Sequence, residues 1–316
     1  MAYFEGPECG FVSPDVFWWF FIVTGTTVGY GDFSPVTLGG RVTAAIIMMG
    51  GIGIFAAIVA KITERTIQFT QRRNKGMINL HMKGHVVIFG YRGKETSQLV
   101  RELSADSEGG SVKIVLCSEN TTENPLSGEA EFVSGELTSD DVLERACVND
   151  ARGVIIYGRD DAQTLAVGIA VNNAMKNGAH IVAYFAQSEN AIHLKRVNSK
   201  IECVTALSVP LLVQAVQDPG STESIGILVS NLDTQCTQYR LNLPTTMGRV
   251  FYGELMIALK KRFNATIIGV ARSHDHNAQV CLNLDDSVQV IGGMSVFYIA
   301  KSRLSVDQVV SLVNGA

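Results

Sequence analysis

Two short stretches of the chain hold residue types whose spacing permits chemistry. In the first, Thr26-Thr27-Val28-Gly29-Tyr30-Gly31-Asp32, glycines alternate with bulkier residues. Glycine tolerates dihedrals that aim successive backbone carbonyls at one axis, which residues with a Cβ resist. Several copies of such a loop would present rings of carbonyl oxygens, with the Thr27 hydroxyls added, that replace the hydration shell of an ion. In the second, Gly90-Tyr91-Arg92-Gly93-Lys94 follows an apolar run at 85–90, the place where an α/β fold holds phosphate on helix amides. Glu119 follows another apolar run at 112–116, where a carboxylate binds a ribose hydroxyl. Arg92 and Lys94 add positive charge toward phosphates. The glycine spacing is not a strict G-x-G-x-x-G, so a turn needed only for packing stays open beside a nucleotide site.

The elements around the first stretch belong to a membrane. Residues 42–60 are nineteen in a row without a charge, close to the ~20 needed to cross a bilayer as a helix. Arg41 closes one end, while Lys61, Arg65, Arg72, Arg73 and Lys75 crowd the other, which marks that end as cytoplasmic. Gly50, Gly51 and Gly53 would each cost about 1 kcal/mol relative to alanine in a soluble helix. In a membrane bundle they permit close packing or a bend, so they are a candidate gating hinge. Ahead of the ion-binding loop, Ser13-Pro14-Asp15 reads as a helix start with a capping hydroxyl, and residues 16–23 are too short to span a bilayer. They predict a re-entrant half-helix whose Trp18 and Trp19 sit at the interface.

Downstream, apolar runs alternate with polar helical patterns: strands at 85–90, 112–116, 131–133, 153–157 and 180–185, helices at 95–103, 139–146 and 162–176, the last capped by Asp161. That alternation predicts a parallel, doubly wound sheet. Residues 211–217 read as a helix that breaks at Asp218-Pro219-Gly220 before a second short helix. Strands at 238–241, 265–271, 279–282 and 295–300 with a helix at 253–263 predict a small α+β lobe.

With these elements placed, Thr27-Val28-Gly29-Tyr30-Gly31-Asp32 is similar to the selectivity filter of potassium channels, between a pore helix and an inner helix. The later part resembles the RCK or KTN family that regulates potassium conductance, related to the TrkA nucleotide-binding domain. That resemblance rests on Phe89-Gly90-Tyr91, Phe132-Val133-Ser134-Gly135-Glu136-Leu137-Thr138 and Asp150-Ala151-Arg152-Gly153-Val154-Ile155, and it implies Gly135 and Glu136 as further nucleotide-binding residues. The expected fold is a membrane α-helical pore module joined to a Rossmann-like α/β domain with a small α+β C-terminal lobe. Its divisions are a pore module at 1–61 (pore helix 13–25, filter 26–32, inner helix 39–61) and a connector at 62–80. An RCK domain follows at 81–209, a crossover helix-turn-helix at 210–229 and a C-terminal lobe at 230–316. Residues 2–8 look like an extracellular turret loop in place of the family's outer helix. Either the chain is truncated or the pore lacks that helix, and truncation is favoured because the filter would otherwise lose its lipid-side support. The resemblance implies a homotetrameric, potassium-selective channel in the cell membrane, with lipid around it. Its RCK domains would pair in a cytoplasmic gating ring.

For the regulatory ligand, NAD or an adenine nucleotide at Gly90–Lys94 and Glu119 is expected. Calcium-gated relatives carry carboxylates where this chain has Tyr157, Tyr184 and Ala186, so calcium is not expected at those positions. Asp160 and Asp161 remain a weak metal candidate. His274-Asp275-His276-Asn277 reads as a polar turn before it reads as a metal site. With 26 basic and 30 acidic residues and a net charge of -4, nothing points to nucleic acid. The six cysteines are scattered without metal spacing, which suits free thiols. Dispersed histidines argue against an enzyme such as a membrane-anchored dehydrogenase. A non-conducting regulatory anchor is the alternative to a channel.

Overall fold

Proline fixes φ and needs no donor partner in a helix's first turn, and Pro14 opens the helix that precedes the ion-binding loop. In the computed structural model, which describes residues 2–6, 13–105, 112–176, 178–232, 235–275 and 278–314, the chain divides into two units, residues 1–73 and 74–316. In the first unit, α1 (Ala2–Glu5) is a single turn and α2 spans Pro14–Gly25. Part of the expected turret loop is therefore helical, and Pro7, Glu8 and Cys9 lie outside the described residues. Glu5 accepts hydrogen bonds from the backbone of Val36 and Thr37, both at 3.1 Å. This places negative charge at the N-terminus of the next helix. Ser13 stands at the N-cap of α2 in extended backbone, but its side chain takes no capping bond. The expected hydroxyl cap gives way to a proline-set start.

Helix α3 runs unbroken over Leu38–Asn74, about 55 Å at 1.5 Å per residue. Its most apolar stretch reaches a mean hydropathy of 2.4, with little of it buried, long and apolar enough to cross a membrane. The helix carries most of the expected connector with it and ends where Gly76 takes a left-handed φ of +65°.

The second unit starts with a six-stranded sheet, all parallel, in the order β3-β2-β1-β4-β5-β6. Its strands are β1 (Val86–Phe89), β2 (Ile114–Ser118), β3 (Glu131–Ser134), β4 (Gly153–Ile156), β5 (His180–Phe185) and β6 (Glu202–Thr205). Helices α4 (Lys94–Ala105), α5 (Asp140–Arg145), α6 (Asp161–Ala174) and α7 (Ser188–Val197) connect them. The fifth strand falls where expected, but α7 and β6 were not foreseen, because Glu202-Cys203-Val204-Thr205 is short and begins with a charge. The apolar runs of β1 and β2 are buried on both faces, as a parallel sheet demands. In β4 and β5 burial alternates. One face packs into the main core, while the other lines a groove of 520 Å³ with Leu99, Ile155, Val182, Val204 and the two tyrosines Tyr157 and Tyr184.

Helices α8 (Ser208–Gln217) and α9 (Ser221–Val229) bury no residue; Leu212 and Val216 of α8 are 67% and 83% exposed. The C-terminal lobe pairs β10-β9-β12-β7, from β7 (Thr237–Asn242), β9 (Thr266–Ala271), β10 (Val280–Leu282) and β12 (Ser295–Ala300). It adds a small β8 (Val250–Phe251) and β11 (Gln289–Val290) pair, with α10 (Tyr252–Phe263) and a further helix, α11 (Val306–Asn314). Glu102 of α4 ties this lobe on, accepting from Ser230 Oγ (2.8 Å) and the Asn231 backbone (2.6 Å).

One side chain gathers the segment after α3 against the sheet. Arg145 of α5 donates to the carbonyls of Gly76 (2.5 Å) and Ser134 (2.8 Å) and pairs with Asp141. Ser134 N–H closes the ring by donating to Gly76 O (3.1 Å). A Cβ on Gly76 would lie 2.5 Å from Ser134 N and 2.8 Å from the Phe132 ring, and its φ is unfavourable for any L side chain. Gly76→Ala is therefore expected to cost about 2 kcal/mol or more, lowering the melting temperature by about 4–8 °C in circular dichroism of the full chain. An unchanged melt would remove this account of Gly76.

Candidate functional site

The ion-binding loop is built from the end of α2. Thr26 Oγ1 donates to Ile22 O (2.7 Å), and the N–H groups of Val28 and Gly29 both donate to Val23 O (3.0 and 3.2 Å), so the chain turns sharply out of the helix. Positive φ then recurs at alternate residues, Thr27 (65°), Gly29 (57°) and Gly31 (73°). This alternation points carbonyls of successive residues to one side, and at Thr27 it is a conformation that strains a branched residue by about 1–3 kcal/mol. A cuff of side chains holds it. Trp19 stacks on Tyr30 (centroids 6.0 Å apart, planes 6° off parallel) and its indole N–H donates to Asp32 at 2.7 Å. Trp19, expected only as an interfacial aromatic, is thus part of the loop's frame; Trp18 instead meets Phe21 edge-on.

The three inner-helix glycines do different jobs. Gly51 packs on Gly25 of α2, where an added Cβ would sit 3.0 Å from the facing Cα, whereas Gly50 and Gly53 have nothing within 4 Å. Helix α3 passes through all three without a break.

At the C-terminal edge of the parallel sheet, the residues singled out for a nucleotide fall into two networks. Gly90, Glu119 and Gly135 follow the ends of β1, β2 and β3. Gly90 N–H donates to Cys117 O and Gly135 N–H to Ser118 O, so the three are brought to one edge. Gly90 packs on the Tyr157 backbone, with no room for a Cβ; Gly135 packs on Val142 and Arg145. Glu136 accepts from the Thr138 hydroxyl in a local turn, and Tyr91 packs into the apolar cluster under α4. Lys94 begins α4 and is exposed. Glu119 Oε1 accepts from the Gln163 side-chain amide, whose oxygen in turn accepts from Arg159 N–H (2.7 Å). Arg92, expected to face a phosphate, instead pairs with Glu95 (3.2 Å) and lies over the rings of Tyr157 and Tyr184, at 4.5 and 6.0 Å. Those tyrosines meet edge-to-face at 5.0 Å. Glu95 also accepts from the Tyr157 hydroxyl (2.7 Å).

The metal candidates are spent on structure. Asp160, not Asp161 as the sequence suggested, is the N-cap of α6, accepting from Gln163 N–H at 2.8 Å; that bond holds its carboxyl below the usual range. Asp161 accepts from Ala186 N–H (2.8 Å), Gln187 N–H (3.1 Å) and Asn190 Nδ2 (2.7 Å). Burial pushes its carboxyl up, but these bonds outweigh it and leave the net shift downward. The cap moved by one residue because Asp161 is needed where α7 begins. Among the described residues no three His, Cys, Asp or Glu side chains gather as a metal set; His274 meets Leu243 O, and His276 and Asn277 lie outside the described residues. The five described cysteines are free thiols.

Residues 10–68 match the ion-channel family model and residues 86–202 match the TrkA-N domain. One chain thus joins an ion-channel segment to a TrkA-N domain, and it is homologous to potassium channels. It is 32% identical over 218 residues to the calcium-gated potassium channel TvoK of Thermoplasma volcanium, covering 66% of this chain and 61% of that protein. It is 29% identical over 138 residues to the putative potassium channel protein YugO of Bacillus subtilis, covering 44% and 41%. The chain therefore spans about half the length of these relatives. The fold is shared with the human SLO3 gating ring, at a TM-score of 0.55 and 15% identity over 73% of this chain and 46% of that one.

Burial, and the bond that ties its hydroxyl proton to Glu95, push Tyr157 up to about 12 despite the opposing Arg92 charge. The proton is held more tightly folded than unfolded, so this contribution to stability is full below pH 10 and is lost as pH rises toward 12. In ultraviolet titration, the tyrosinate signal that Tyr157→Phe removes is expected near pH 12. A signal near pH 10 would contradict the Glu95–Tyr157 bond.

Proposed function

We propose that the chain is a subunit of a potassium-selective channel whose conduction is regulated by a ligand bound to its α/β domain. The carrying observation is the loop Thr27–Asp32, with positive φ at alternate residues and the Trp19–Tyr30–Asp32 cuff behind it. Four chains around one axis would stack its carbonyls into rings that substitute for water around potassium. The dipole of α2 ends at that axis with its negative end. Helix α3 would cross the bilayer, its basic C-terminal end in the cytoplasm. The α/β units would then lie in the cytoplasm and pair through the uncovered apolar surfaces of α8 and α9, as an RCK gating ring requires.

For the ligand, the α4 N-terminus with Lys94, and Glu119 beyond β2, favour an adenine nucleotide. TvoK is a calcium-gated channel, yet here Tyr157 and Tyr184 lack carboxylates, and Asp160 and Asp161 already hold helix starts. Coupling to the pore would run through Arg145. It fixes Gly76, two residues beyond α3, to the end of β3 beside Gly135, so a ligand that prefers one arrangement of that edge biases the helix.

The test is potassium flux from liposomes carrying the natively encoded protein. Flux should be potassium-selective, fall to background in Gly29→Ala, and change with an adenine nucleotide. Absence of flux under every ligand would sink the channel reading and leave a regulatory membrane anchor. Arg145→Met should keep nucleotide affinity within about twofold yet reduce the nucleotide-dependent change in flux at least about fivefold, the lower end of ordinary allosteric coupling. An undiminished response would remove Arg145 from the coupling route.

A further inference from the structure

The strand order of the sheet reverses between β1 and β4, and a bound dinucleotide must cross that switch point, one nucleoside on each half. Counted from Gly90, a G-x-G-x-x-G fingerprint would put its second glycine at Arg92 and its third at Glu95. The second glycine exists so that backbone can approach a pyrophosphate, the third so that helix and strand pack closely. Here both are long charged side chains, and they pair with each other at 3.2 Å. Glu95 then reaches across the switch point to the Tyr157 hydroxyl at the end of β4 (2.7 Å), and the Arg92 guanidinium covers Tyr157 and reaches over Tyr184 of β5. Arg92 N–H, an amide a pyrophosphate would use, donates instead to the buried Thr96 hydroxyl (2.8 Å).

The β1–β2–β3 half differs. Gly93 has a left-handed φ of +62° and open space around it, Lys94 is exposed, and Glu119 is held by a neutral side-chain amide that a ribose hydroxyl can replace as donor. Resting on the nucleotide reading above, we infer that the site takes an adenine mononucleotide on the β1–β2–β3 half and excludes a dinucleotide, because Arg92, Glu95, Tyr157 and Tyr184 fill the crossing. A dinucleotide would have to break an ion pair, a hydroxyl–carboxylate bond and a cation–π contact together, while a mononucleotide breaks only the Glu119–Gln163 bond.

The test is calorimetric titration of the purified full chain with AMP, ADP and NAD. AMP or ADP should bind at least tenfold tighter than NAD. The double change Arg92→Gly with Glu95→Gly should raise NAD affinity at least tenfold, and Tyr157→Phe, which removes only the hydroxyl link, should raise it by a smaller factor without disturbing the fold. NAD binding to the parent as tightly as AMP would overturn this inference and leave the nucleotide reading intact, as would NAD affinity unmoved in both variants. No binding of any of the three would overturn the nucleotide reading and this inference with it.

Discussion

The guanidinium of Arg145 is a constraint that three elements of the second unit share. Its side chain is 12% exposed, and a guanidinium so placed must have its donors satisfied and its charge met. Asp141, one turn back on the same helix, supplies the charge, and the carbonyls of Gly76 and Ser134 each take a further donor. A lysine offers no planar fork to span three acceptors. The consequence is topological: the exit from α3, the end of β3 and helix α5 meet at one side chain. Gly76 is left-handed where it meets this group, and a Cβ on Gly135 would lie 2.7 Å from Val142 and 3.2 Å from Arg145.

What could be read in the sequence follows from which signals are local. The strands β1, β2 and β5 are unbroken apolar or alternating runs, and the fold class came directly from their alternation with helices. β6 was missed because its four residues begin with a charge and lean on β5 for identity, and α11 because the reading stopped at the last apolar run. The N-cap of α6 slipped by one residue for a tertiary reason. Two adjacent aspartates are equivalent as local caps, and only the position of α7 decides that Asp161 serves Ala186, Gln187 and Asn190 instead.

The backbone form of the loop Thr27–Asp32 was legible, since positive φ falls at Gly29 and Gly31, which the sequence names outright. Its support was less so: Trp19 meets Asp32 across 13 positions. Of the candidate nucleotide edge, the sequence names residues but not their partners. Gly90, Glu119 and Gly135 do gather there, yet Glu95 and Tyr157 are 62 positions apart and Glu119 and Gln163 are 44 apart. Pairings at that range are set by strand order. Arg92 shows the cost of reading charge without partners: its position suits a phosphate, but Glu95 and two aromatic faces compete for the same guanidinium.

Three surfaces of the chain are incomplete in physically different ways, and each specifies what would complete it. In the proposed channel, the loop's carbonyl oxygens would find a cation to coordinate only among several copies, because rings need rotational symmetry. The apolar flank of α3 needs hydrocarbon, which water cannot replace without a large hydrophobic penalty. Helices α8 and α9 bury nothing, and one face of β4–β5–β6 stays half open, so apolar area of matching character is exposed on two elements of the same unit. In the proposed channel, pairing through α8 and α9 and fourfold closure around the loop would be different symmetries acting on one covalent chain. In that proposal the covalent path from α3 through Gly76 is the route by which a change in pairing would bear on the pore.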